Sequence, residues 1–144
     1  MHGKAFSVFG RELDMMTQDS LRFYNSHAVY DSFGGIVLDR EEGKRIAKAL
    51  GGGKAVILQN HGLLTVGGSV DAAAFWFLSL ERTCQAQLLV DAACRDEDGY
   101  RKRLIEEEDA AYTYGQVGTE EKGWLAFQPY YDEQMAKTGG SFLR

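Results

Sequence analysis

The strongest periodic signal runs from Val70 to Ala93, where Ala73, Trp76, Phe77, Leu80, Cys84, Leu88 and Ala92 recur at intervals of three and four. That spacing predicts one side of a helix, and Phe75, Leu78 and Leu89 widen the stripe beyond a single face. A helix apolar over this much of its surface is expected to pack against a sheet and against a further subunit. Ser69 stands where an N-cap belongs, with Asp71 near the positive end of the helix. Before it, "AVIL" (55–58) is a continuous apolar run of strand length, expected to be covered on both faces. "LLTVG" (63–67) is its expected neighbour, after the polar tetrad Gln59-Asn60-His61-Gly62. Two short apolar runs around such a tetrad predict a strand, a tight turn and a second strand.

The rest of the chain alternates in the same way. "HGKAFSVF" (2–9) predicts a short helix ending at Gly10, and Thr17 could cap another through about Tyr24. "HAVYD" (27–31) and "GIVL" (35–38) are short strand candidates. "DREEGKRIAKALGGG" predicts a helix capped by Asp39 and stopped by Gly51, with acids early and bases late. "LIEEEDAAYTYGQVG" and a stretch capped by Thr119 predict two further helices. Pro129 is expected to kink the second of these or divide it near Gln128. The tail, Gly139-Gly140-Ser141, is expected to be loose. Short strands alternating with helices make the fold class α/β.

Length fits a single domain over residues 1–144, with helical segments at about 104–138. Hydrophobic residues make up 44% and charged residues 26%, as in an ordinary globular chain. The formal charge of −5 argues against nucleic acid as a partner. No apolar run reaches the roughly 20 residues of a membrane span, and no secretory signal opens the chain. Cys84 and Cys94 fall ten residues apart on the long helix. That is roughly 15 Å, too far for a disulfide. Two thiols imply a reducing compartment, and a cytoplasmic location is expected.

Several suggestive stretches fail on inspection. Gly51-Gly52-Gly53-Lys54 resembles a phosphate loop, but Lys48 and Ala55 stand where that motif needs Gly and Ser or Thr. The glycines also follow a helix, so they read as its stop. Glu106 to Asp109 are adjacent and point in different directions on a helix, so they cannot converge on one ion. Trp124, Phe127, Tyr130 and Tyr131 read as core or interface.

Three histidines remain as candidate chemistry. His27 precedes an apolar strand and reads as structural. His2, at the chain start, is a lesser metal candidate. His61 sits at the end of a buried strand, in a turn that needs Asn and Gly for its backbone. A histidine on a rigid corner has little freedom to lose, which suits a metal ligand. It could equally be a turn that happens to contain His, because a metal needs three or four ligands. No His-x-His or His-x3-His accompanies it.

"KAVILQNHGLLTVGGSVDAAAFWFLSLERTCQAQLLVDAA" (54–93) resembles the class II aldolase/adducin family: strand, Asn-His-Gly turn, second strand, Gly, and a long helix with an acidic start. "GKAFSVFGRELDMMTQD" and "YGQVGTEEKGWLAFQPYYDE" are similar to its fungal members. The resemblance implies a three-layer α/β/α sandwich, incomplete at the N-terminus, with C-terminal helices and assembly into a homo-oligomer. It implies a divalent metal, usually zinc, polarising the carbonyl of a small-molecule substrate in an aldolase, decarboxylase or epimerase. His61 occupies the place of the third metal ligand. The other two form a His-x-His pair that would fall just before residue 1, and His2 occupies a place that is often Tyr. The catalytic acid and the phosphate-holding loops are also expected upstream. On this reading the chain resembles the C-terminal half to two-thirds of the family domain. Its activity is open to loss, and the "AVIL" strand is left at an exposed edge unless another copy covers it. The alternative implied by the resemblance is a non-catalytic, adducin-like module of the actin cytoskeleton.

Overall fold

The unbroken apolar run at residues 55–58 forms the centre of a sheet. In the computed structural model, which describes residues 1–32, 40–94 and 100–143, β1 (His27–Tyr30) runs parallel to β2 (Ala55–Leu58). β3 (Gly62–Thr65) runs antiparallel on its other side, with Leu58 opposite Gly62. A parallel pair needs a long connection, and here the connection carries helix α2 (Arg40–Leu50). The "AVIL" strand is therefore central and not at an edge, since β1 and β3 take both of its sides.

All four residues of β2 are buried, and their alternation builds two cores. Val56 and Leu58 join Tyr30 and Ile46, the latter on α2. Ala55 and Ile57 face the other way, onto Phe6, Phe23, Trp76 and Leu80. Phe6 belongs to α1 (His2–Ser7); Trp76 and Leu80 belong to α3 (Val70–Ala93). Helix, sheet and helix stack as a three-layer α/β/α sandwich. After it come α4 (Glu107–Val117) and α5 (Glu120–Thr138), and α5 packs along α3.

The caps follow the sequence. Ser69 Oγ accepts from the Ala72 N–H at 3.1 Å, and Thr119 Oγ1 from the Lys122 N–H at 3.3 Å. Gly10 and Gly51 leave their helices at φ +57° and +54°, where a Cβ is costly. Other expectations change. The helix expected from Thr17 to Tyr24 is only a 3-10 turn, Ser20–Phe23. Pro129 does not divide α5. It removes one donor to the Leu125 carbonyl, but Pro129 and Leu125 are both exposed, so water can replace that donor. The tail is not loose. Gly139 closes α5 in a left-handed conformation, and Phe142 packs edge-on against Tyr131. The strand expected at 35–38 and the cap at Asp39 lie outside the described residues.

Candidate functional site

The tip of the β2–β3 hairpin is Gln59-Asn60-His61. The His61 N–H donates to the Leu58 carbonyl at 3.0 Å and closes a four-residue turn. Asn60, third in that turn, has φ +59°. A type II turn demands a positive φ at that place, and Gly or Asn meets it at least cost. Gly62 follows at φ +148°, again a conformation that favours glycine. Backbone geometry thus accounts for Asn60 and Gly62. It does not account for His61, whose side chain is exposed.

The tip is fastened to the end of α1. The Asn60 N–H donates to the Ser7 carbonyl at 3.2 Å. Gln59 lies so close to Gly10 that a Cβ there would come 2.9 Å from Gln59 Cδ. Consecutive residues of the turn are therefore tied, one to β2 and one to α1, and the imidazole is carried on a fixed corner.

His2 stands elsewhere, beside Glu81 of α3. The N–H groups of His2 and Gly3 donate to Glu81 Oε1 and Oε2 at 2.5 and 2.7 Å, and His2 Nδ1 lies 3.2 Å from Oε1. The Met1 ammonium also touches this carboxylate. Burial pushes the Glu81 carboxyl up, but these donors outweigh it and bring its pKa down to about 2. Glu81 thus satisfies backbone donors that the first turn of α1 leaves open.

His27 is structural, and both ring nitrogens are in use. Nδ1 donates to the Phe23 carbonyl at 2.7 Å, and Nε2 accepts from the Leu13 N–H at 3.0 Å. Burial lowers its pKa, outweighing the Phe23 hydrogen bond and the charge of Glu12, and keeps the ring neutral. The Cys84 thiol is buried, and burial with the nearby Glu81 charge pushes its pKa up to about 12. It is a poor thiolate ligand.

A zinc site takes three or four protein donors. Among the described residues no three His, Cys, Asp or Glu side chains come together to hold a metal. His2 is engaged by Glu81 and His27 by its backbone partners, which leaves His61 as a single donor. The described residues do not by themselves fit the metal that the resemblance implies.

One buried cation is not signalled by any motif. Lys54 immediately precedes β2 and is only 6% exposed. Its Nζ donates to the Gly118 carbonyl and lies 4.1 and 4.8 Å from the ring centroids of Trp76 and Tyr114. Burial lowers its pKa to about 8, against the opposing charge of Glu120. The available clue was a lysine abutting an unbroken apolar run. Among the described residues no helix is long and apolar enough to cross a membrane.

Residues 1–88 match the sequence model described as Class II Aldolase and Adducin N-terminal domain. "Decarboxylase NovR" from Streptomyces niveus is 44% identical over 137 residues, which are 95% of this chain and 48% of that protein. The solved structure of L-fuculose 1-phosphate aldolase from Glaciozyma antarctica PI12 has a TM-score of 0.83 at 40% identity. It covers 96% of this chain and 50% of that one. Alpha-adducin from Rattus norvegicus is 39% identical over 70 residues, 48% of this chain and 10% of that protein. The chain spans about half the length of the first two relatives.

Proposed function

Because the chain belongs to the class II aldolase and adducin family, we propose that it serves lyase-type chemistry on a small carbonyl substrate: aldol cleavage, decarboxylation or epimerisation. In this proposal His61 is one ligand of a divalent metal, zinc. The names of two relatives, a decarboxylase and an aldolase, support the reaction class. Both reactions break a C–C bond and must stabilise the electron pair left behind.

The observation that carries the proposal is the turn itself. Asn60 and Gly62 are needed by the backbone, the tip is tied to Leu58 and Ser7, and the remaining side chain is an exposed imidazole. The backbone that carries it is fixed before any ligand arrives, so little main-chain freedom is lost on binding. The other metal donors and the catalytic acid would come from outside the described residues. Under the same reading, residues 1–144 form one partial domain with helical segments at about 104–138. It works as a homo-oligomer in the cytoplasm.

The test is a chimera in which these 144 residues replace the matching segment of NovR, assayed for that relative's own decarboxylase activity. The chimera should be active. His61→Ala should lower kcat/KM by at least about 100-fold, the upper end of what loss of a mere supporting partner costs at a metal site. Full activity in the His61→Ala chimera would sink the proposal.

The likeness to alpha-adducin supports a second reading, a non-catalytic assembly module. Co-sedimentation with actin filaments distinguishes it: pelleting well above background favours the module, and none favours the lyase.

A further inference from the structure

A cavity of about 740 Å³ opens between α3, α5 and the turn Ser141–Leu143. No residue of the β2–β3 hairpin lines it, and the lyase reading makes no use of it. Its volume falls in the range of small-molecule sites, roughly 300–1,000 Å³. Four aromatic rings form much of its wall. Phe127 and Tyr130 stack with centroids 6.0 Å apart, and Tyr131 meets Phe142 edge-on at 5.8 Å.

The charged groups that line it are Asp71, at the start of α3, and Glu133, on α5. Among the described residues no lysine or arginine lines it. Aromatic faces carry partial negative charge, so rings and carboxylates act with the same sign. An anion would be repelled by both. A neutral apolar molecule would gain from the rings but would desolvate the carboxylates with nothing in return. A cation with an apolar body satisfies both. The protein already places one cation on this cluster from outside the lining: the Arg82 guanidinium sits 5.6 Å from the Tyr130 ring centroid and donates to its hydroxyl at 2.6 Å. Lys137 pairs with Glu133 at 2.5 Å, but both side chains are more than half exposed. Such a pair is weak and leaves Glu133 available.

We propose that this cavity binds a small organic cation, a tertiary or quaternary ammonium compound with an aromatic or aliphatic body. Its charge sits over the rings, between Asp71 and Glu133.

The test titrates the 144-residue chain with benzyltrimethylammonium, and in parallel with 2,2-dimethyl-1-phenylpropan-1-ol. The alcohol keeps the ring and the quaternary shape without the charge. Calorimetry gives affinity and NMR shifts give location. The cation should bind at least about threefold more tightly than the alcohol, the gain expected of a cation–π contact at a partly exposed site, with shifts at Phe127, Tyr130, Tyr131 and Phe142. Tyr131→Leu keeps an apolar wall but removes one ring. The double variant Asp71→Asn with Glu133→Gln keeps side-chain shape and removes both charges. Each should weaken the cation several-fold and leave the alcohol unchanged. Equal affinity for the two probes overturns the proposal, as does no binding of the cation at millimolar concentration. Variants that bind the cation as the parent does overturn it too.

Discussion

At Asn60 the backbone enters the left-handed region, φ +59°, which costs a residue with a Cβ roughly 1–2 kcal/mol unless its side chain compensates. Asn60→Gly should therefore leave the urea midpoint nearly unchanged, while Asn60→Ala should destabilise by about 1 kcal/mol. A second expectation concerns His27. Its folded pKa lies below the ordinary 6.5, so the unfolded chain takes up its proton first as pH falls. The stability this group confers is complete above about pH 6.5 and declines as pH drops toward the folded pKa. Urea denaturation at pH 7 and pH 5 should show a steeper loss in the parent than in His27→Gln. His61 and its neighbours were legible because turn chemistry is local. Glu81 and Lys54 were not, because their partners lie far away in sequence. The N–H donors to Glu81 come from 79 and 78 residues away, and the Lys54 acceptor from 64.

Between elements, α5 fits closely onto α3. A Cβ at Gly123 would fall 2.5 Å from the Trp76 ring. Trp76 is fully buried and packs against Phe23 and Phe75, so it cannot give way. Gly123→Ala should destabilise by about 1–3 kcal/mol, as overpacked cores do, and should alter the near-UV circular dichroism. Gly115, on α4, has nothing within 4 Å of its missing Cβ. Gly115→Ala should raise stability slightly, since alanine favours a helix interior. The long helix was legible in extent, in cap and in the apolar part of its buried face, where Phe75, Trp76, Leu80 and Cys84 are buried; the polar part was not legible. Phe77 and Leu89 are 44% and 64% exposed, while Ser79, Thr83 and Gln87 are buried. Gln87 Oε1 accepts from the Asp14 N–H at 2.8 Å, Ser79 Oγ accepts from Arg22 at 3.1 Å, and Thr83 bonds the Ser79 carbonyl. A hydrophobic pattern counts such residues as surface, because hydrogen bonds, tertiary for Ser79 and Gln87 and within the helix for Thr83, are what make their burial tolerable.

Across the whole molecule, the sandwich brings α1, β2 and β3 together so that one loop is held from two sides. The alternation of strand and helix made the α/β class readable, and the family resemblance implied its three layers. The second tie on the loop, from Asn60 to Ser7, depends on how α1 docks and was not readable. A lone exposed imidazole binds zinc weakly in water. The 144-residue chain should therefore take up no zinc at micromolar concentration, because among its described residues no three His, Cys, Asp or Glu side chains come together, where a site needs three or four donors. The NovR chimera supplies a full-length setting for the same turn. Zinc content of the dialysed chimera, measured beside its His61→Ala variant, tests the assignment of His61 most directly. The account predicts stoichiometric zinc in the first and loss of it in the second. Equal zinc in both would contradict it.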